Sequence, residues 1–168
     1  MPKDDPAKLK RVSLSLPFGI GGVEWENDPT ERRAAWSLYV ELITRVAVQS
    51  LEVDQGTMRE ALNSLYSMFA ITRQVLKEAG PAVGASRSSV GGIAIAVLNK
   101  GLRPFLSKWH PILQAWEVQR LVGVSPQDHE KLWEQELQLR QELARLSKDL
   151  EQYADALAIV VGIEDASL

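Results

Sequence analysis

Apolar residues recur every three or four positions through most of the chain, which is the spacing of one face of an α-helix. The first such stretch predicts a helix over 28–50, because Asp28 can cap it, Pro29 suits its first turn and Glu31 can complete a capping box. A second helix is predicted over 54–79, where a Gly-Pro pair ends the pattern. Both stretches indicate helices that bury one face.

Two further helices are predicted in the second half of the chain. The third spans 91–116 and contains Pro104 and Pro111, each of which removes a backbone donor and crowds the preceding turn. We therefore expect a kink near either proline, or a full break before Pro111. The fourth helix begins at Ser125, where a cap, a proline and an acid follow one another as they do in the first helix.

The fourth helix carries an apolar seam of heptad type over 132–157, interrupted at Glu136. At the standard helical rise this seam is ~39 Å long, more than the first two helices need. We expect its C-terminal half to project and to present its apolar residues to a partner or a second copy. The interface residues predicted in this way are Leu143, Leu146, Leu150, Tyr153 and Leu157.

The pattern changes at the N-terminus, where Val12, Leu14 and Leu16 alternate with serines in the manner of a strand. One short strand would have no sheet to join, so residues 1–27 are interpreted as a tail and an extended arm. Residues 28–168 are expected to form one domain, interrupted by a flexible linker over 80–92. The predicted fold is all-α, a four-helix bundle with an extended N-terminal arm and a long C-terminal helix.

Composition and net charge exclude or disfavour several classes of function. The 168 residues include no cysteine, which excludes thiolate metal sites and a cysteine nucleophile and agrees with a reducing interior. The N-terminus does not have the pattern of a signal peptide and no apolar run approaches the ~20 residues of a membrane span, so a cytoplasmic protein is expected. The net charge of −3 gives no global reason to bind nucleic acid or an anionic membrane. Neither histidine follows a glutamate by three positions, so a di-iron site is not expected, and we predict no metal or other cofactor. The Asp128-His129-Glu130 segment is interpreted as a surface cap.

One long segment, 79–116, contains no acid, although Asp and Glu make up 22 of the 168 residues. Its helix is expected to turn its leucines and tryptophans inward and its cations to one flank. That flank is the predicted anion-binding or partner-binding surface, formed by Lys100, Arg103, Lys108 and His110. Two explanations stay open: the cations neutralise acids of the fourth helix, or they are free for a substrate or partner.

Arg103 and His110 are separated by six residues, so on an unbroken helix they share one stripe. This spacing resembles the Arg-to-His motif of HEPN-domain ribonucleases, which are helical bundles. The resemblance implies that Arg103 would stabilise charge on a phosphorane and His110 would move a proton, without a metal. The chain departs from the family at Pro104, where a polar residue is common.

The sequence favours a non-enzymatic helical module that assembles with itself or with another protein through its C-terminal helix and its N-terminal arm. A metal-independent ribonuclease is the alternative. Direct nucleic-acid binding, with Trp109 or Trp116 stacking on a base, is less favoured because both tryptophans fall on the apolar face. A Ser-His-Asp triad also stays open, since its members need not be close in sequence.

Overall fold

The structure is a computed structural model that describes residues 11–45 and 55–163. It is mostly helical and has one small sheet of two strands. The start predicted for the second helix at Asp54, the first ten residues of the predicted arm and the end predicted for the first helix lie outside the described residues. The first helix itself ends earlier than predicted.

The N-terminal segment is a β-hairpin, so the expectation that its first strand has no partner is wrong. Strand β1 (Arg11–Leu16) pairs antiparallel with β2 (Gly21–Glu26), with Arg11 opposite Glu26. The second strand alternates as the first does, and it turns Trp25 inward and Glu24 and Glu26 outward. Because its inner face is apolar, the hairpin packs against the helical part of the protein.

The turn of the hairpin is fixed by contact with the helical part. Phe18 has a positive φ of 61° and lies against Gly101, where an added Cβ would be 2.6 Å from the ring. Any larger residue at position 101 would push this ring away. A hydrogen bond from the Gln152 side chain to the carbonyl of Ser15, 3.3 Å long, attaches β1 to the last helix.

Helix α1 (Pro29–Ile43) begins as predicted, because the Asp28 side chain accepts a hydrogen bond from the Glu31 amide at 2.9 Å. Helix α2 (Met58–Ala79) begins with a complete capping box between Thr57 and Glu60. It ends at Gly80 as predicted.

The segment predicted as a linker, 80–92, has secondary structure of its own and packs on α1 and α2. It contains a 3₁₀ turn (Pro81–Gly84) whose Val83 is fully buried. Helix α3 (Val90–Ala96) starts within it, because Ser89 caps the helix and Glu31 of α1 accepts a hydrogen bond from the Val90 amide at 2.6 Å. Gly92 lies so close to the Ser86 carbonyl that a Cβ would be 2.0 Å from its oxygen. Close backbone packing therefore holds this segment.

The helical path continues from α3 through a π-helical segment (Val97–Leu102) into α4 (Arg103–Glu117). Pro104 lies in the first turn of α4, where the wider π turn before it accommodates the missing donor. Pro111 lies inside α4, which passes through it without ending. The predicted break before Pro111 is therefore wrong, while the predicted extent of this third helical stretch is close to the observed one.

The predicted fourth helix is two helices. Ser125 caps a short α5 (Pro126–Lys131), and the long α6 (Glu136–Val161) begins after an interruption. Leu132, the first residue predicted for the seam, falls in this interruption and is 71% exposed. The break lets α5 turn back towards α4, which it contacts.

The remaining seam is buried by the protein itself. Helix α6 packs on α1 and on β1, α1 also contacts α2, and α2 contacts α4. The side chains predicted for an interface with a partner are at most 6% exposed and belong to the common core: Leu143, Leu146, Leu150, Tyr153 and Leu157. Because the hairpin and α1 cover this face, the seam does not project as its length suggested.

Candidate functional site

Arg103 and His110, the pair of the ribonuclease alternative, lie in a cleft of about 270 Å³ between α2 and α4. Each helix contributes side chains spaced three, four or seven positions apart, which is the spacing of one helical stripe. We call this site the cationic cleft. Its lining residues are Tyr66, Phe69, Arg73, Arg103, Leu106, Ser107, His110 and Pro111.

His110 is oriented by a residue that the sequence did not single out. Arg59 of α2 lies with Nη1 2.8 Å from Nδ1 of His110, and its other nitrogens donate to the Glu117 carboxylate at 2.7 and 3.1 Å. A guanidinium has donors and no acceptor, so Nδ1 must accept this bond and the ring proton must be on Nε2. Tyr66 meets the imidazole edge-on, with ring centroids 5.6 Å apart.

This arrangement changes what His110 can do. Burial lowers the pKa of His110, the charge of Arg59 lowers it further, and Glu117 acts in the opposite direction. The neutral ring has one lone pair, on Nδ1, which Arg59 occupies. His110 therefore cannot accept a proton in this conformation unless the bond to Arg59 opens. Its Nε2 is buried and has no partner among the described residues.

The two arginines of the cleft are placed differently. The guanidinium of Arg103 lies over the Phe69 ring, 5.1 Å from its centroid, and its Nε donates to Asn99 at 3.2 Å. Arg73 is exposed on α2, one turn beyond Phe69. No carboxylate of the described residues forms an ion pair with either arginine. The prediction that an acid of the last helix neutralises this flank therefore does not hold for Arg103.

That prediction does hold for Lys108. Its ammonium donates to both oxygens of Glu142 on α6, at 2.7 and 3.0 Å, and lies 4.6 Å from the centre of the Trp109 ring. The bond from Lys108 is the largest of the effects that lower the pKa of Glu142. The fourth predicted cation, Lys100, is exposed in the π-helical segment and does not line the cleft.

The tryptophans considered for base stacking are held by the fold. Trp109 is fully buried and donates its indole proton to Glu142 at 2.8 Å. Trp116 stacks on His129, with ring centroids 4.4 Å apart, and donates its indole proton to the His129 carbonyl at 2.9 Å. Trp109 therefore has no free face, and one face of Trp116 is covered.

The interpretation of 128–130 as a surface cap is wrong for two of its three residues. His129 and Glu130 are 7% and 5% exposed. Since a carbonyl can only accept, Nε2 of His129 donates to Trp116 near the end of α4, at 2.7 Å. The Glu130 carboxylate accepts from the amide of Met58 at 2.7 Å and so caps α2 from a distant part of the chain.

Burial raises the pKa of Glu130, and the hydrogen bonds that it accepts from the Met58 and Arg59 amides act against this shift. The α5 junction is our name for α5 together with the start of α2 and the end of α4. Its histidine and glutamate are residue types that often serve in catalysis, but here their side chains form hydrogen bonds with the backbone at helix ends.

No group of three or more metal-ligating side chains occurs in the described ranges, 11–45 and 55–163. Within the same residues no helix is long and apolar enough to span a membrane. Sequence reasoning missed Arg59, Tyr66 and Arg73 as site residues. Tyr66, Phe69 and Arg73 share a stripe on α2, but that pattern becomes a signal only when α4 is known to pack beside it.

Comparison of the chain with protein-family models, with curated proteins and with solved structures finds no match.

Proposed function

We propose that this protein is a non-enzymatic helical module that self-associates through an apolar surface at the end of α4. The observation that carries the proposal is a group of exposed aliphatic side chains, which we call the apolar tip. Its residues are Val118, Leu121, Val122 and Leu132, each between 71% and 106% exposed. Scattered single apolar residues are normal on a surface, but a group of this kind marks a contact site.

The members of the apolar tip belong to one end of the protein. Val118, Leu121 and Val122 fall within five positions of one another after α4. The stacking of Trp116 on His129 ties this end of α4 to α5, and Leu132 follows α5 directly. A partner that covers these side chains would remove apolar surface from water, which is the main driving force of association.

A second copy of the chain is the occupant that the surrounding charge favours. The exposed residues around the apolar tip include both cations and acids: Arg120, Asp128, Lys131 and Glu134. In a two-fold interface the same surface faces itself, so a mixed rim can place each sign opposite the other. A surface of one sign would instead repel its copy.

Light scattering after size exclusion tests self-association. We expect the full chain to form a dimer or larger assembly, and the double variant Leu121→Ser, Val122→Ser to weaken it by roughly tenfold or more in dissociation constant. Ile95→Ser is the matched control, because Ile95 is a half-exposed apolar residue on α3 outside the tip. A strictly monomeric protein, or equal association of the double variant, would refute the proposal.

The architecture that we propose for this module is a four-helix bundle. Its members are α1, α2, the continuous stretch from Val90 to Glu117, and α6. The support comes from the contacts of α1 with α6 and α2, from those of α2 with α4, and from the bonds of Lys108 and Trp109 to Glu142 between α4 and α6. A cytoplasmic location remains a prediction from the sequence.

The ribonuclease alternative is retained as a second candidate because Arg103 and His110 line one cleft. It requires that Arg59 release Nδ1 of His110. The test is cleavage of a labelled single-stranded RNA without added metal. Activity that is lost in His110→Ala, in a protein with an unchanged circular dichroism spectrum, would favour it. Absence of cleavage in the unmodified protein would remove it.

A further inference from the structure

We propose that the cationic cleft is a binding site for a small phosphomonoester that carries an aromatic ring. This inference is independent of the self-association proposed above, since it concerns the α2–α4 face and not the end of α4. Four properties of the cleft support it: its polar groups, its charge, its aromatic rim and its size.

The polar side chains that line the cleft can all donate a hydrogen bond, and no acid is among them. Arg73 and Arg103 offer guanidinium protons, and Ser107 and Tyr66 offer hydroxyl protons. His110 carries its ring proton on Nε2, because Arg59 holds its other nitrogen as an acceptor, but this Nε2 is buried and does not reach a ligand in this conformation. A group made only of acceptors, such as a phosphate or carboxylate, is the complement of this set.

The charge of the site favours phosphate over carboxylate. Arg73 and Arg103 have no carboxylate partner among the described residues, whereas Lys108 on the same helix as Arg103 is neutralised by Glu142. Two unpaired guanidinium groups in one cleft repel each other, and a ligand of charge near −2 offsets both. Arg103 keeps its terminal nitrogens for a ligand, because its bond to Asn99 uses Nε.

The body of the ligand is indicated by the aromatic and apolar lining. Tyr66 is 63% exposed at the cleft, so its ring is accessible to a ligand. Its ring, together with Leu106 and Pro111, gives a flat ligand an apolar surface. The volume of about 270 Å³ lies near the lower end of small-molecule sites, so a single ring with a phosphate suits it.

Calorimetric titration of the full chain with four probes tests the site. The probes are phenyl phosphate, AMP, adenosine and inorganic phosphate. We expect phenyl phosphate or AMP to bind more tightly than inorganic phosphate, and adenosine to bind weakly. Binding of AMP but not phenyl phosphate would specify a nucleotide, and the reverse would specify an aryl phosphate. Failure of both, or equal binding of inorganic phosphate and the aromatic esters, would overturn the proposal.

Three variants locate the binding. Arg73→Gln and Arg103→Gln should each weaken the aromatic phosphate by roughly tenfold or more, because each removes a charge-assisted bond. Tyr66→Leu should weaken the aromatic phosphate more than it weakens inorganic phosphate, because it removes the aromatic ring together with one hydroxyl donor. Arg145→Gln is the control, since Arg145 is an exposed arginine on α6 away from the cleft. Equal weakening by Arg145→Gln, or none by the two cleft arginines, would place any binding elsewhere.

Discussion

The α5 junction and the cationic cleft differ in whether their polar side chains are buried and bonded or exposed and without an ionic partner in the described part of the chain. At the α5 junction, Glu130 caps α2 and His129 bonds to the end of α4, so both side chains are buried and bonded. In the cleft, Arg73 and Arg103 are exposed and have no carboxylate partner within the described residues. Residue type alone would have ranked these regions the other way, since histidine and glutamate are the usual catalytic side chains.

The difference shows that free hydrogen-bonding capacity, rather than residue type, separates a site from a structural contact. His110 belongs to both regions. It lines the cleft, and it is bonded to Arg59, which pairs with Glu117 near the junction. Three measurements test whether the polar side chains of the α5 junction hold the fold and those of the cationic cleft do not.

The largest effect is expected at Glu130. Truncation in Glu130→Ala removes the acceptor of the buried Met58 amide, and an unsatisfied buried donor costs about 1–3 kcal/mol. We expect the free energy of unfolding to fall by about 2–3 kcal/mol in urea titrations followed by circular dichroism. Glu134→Ala, at a nearby exposed acid, should change it by less than ~0.5 kcal/mol. Equal small effects would mean that the junction is no more structural than the surface.

An intermediate effect is expected from the pH dependence of stability at His110. Its pKa is lowered in the folded state by burial and by Arg59, with Glu117 opposing. The unfolded chain therefore binds more protons as the pH falls through ~6.5, and the contribution of His110 to stability is lost in that range. Above this range the neutral imidazole accepts from Arg59 and the contribution is fully present.

The comparison is with His110→Gln, whose amide oxygen can still accept from Arg59 and does not titrate. Between about pH 7.5 and about pH 5.5 the unmodified protein should lose more stability than the variant. The excess slope should stay well below the ~1.4 kcal/mol per pH unit of one full proton, because solvent screens a partly exposed group. Glu31 and Glu130 also have raised pKa values, but both proteins contain them, so their contribution cancels. If the free energy of unfolding changes equally with pH in both proteins, His110 does not have a lowered pKa in the folded state.

The sequence was informative wherever structure depends on neighbouring residues. The caps at Asp28 and Ser125 and the helical face over 91–116 are local patterns, and each was found at or near its predicted position. It was less informative about contacts between distant segments. The alternation of Val23 and Trp25 with glutamates is a strand signal, but the first strand was expected to have no partner, so residues 1–27 were interpreted as an extended arm.

The candidate site could be predicted only in part for the same reason. Arg103 and His110 share a stripe on one helix, so their spacing was enough to bring them into one cleft. Arg59 and Arg73 join them from α2, and nothing in local spacing shows that α2 packs beside α4. The burial of Glu130 likewise depends on the interruption of the last predicted helix, which turns α5 back onto the start of α2.

The smallest effect on stability is expected in the cleft, and it is the sharpest test of the comparison. Arg73 and Arg103 have no carboxylate partner among the described residues, so Arg73→Gln should change the free energy of unfolding by less than ~0.5 kcal/mol. Arg103→Gln also loses the contact with Phe69, and because an exposed cation–π pair contributes about 0.5–1 kcal/mol, its change should stay within ~1 kcal/mol. The measurement is the same urea titration used for Glu130. A loss above ~1 kcal/mol in either variant would show that the arginines hold α2 and α4 together. A change near zero would leave them, unlike Glu130, as residues that the fold does not need and that are free to hold an anion.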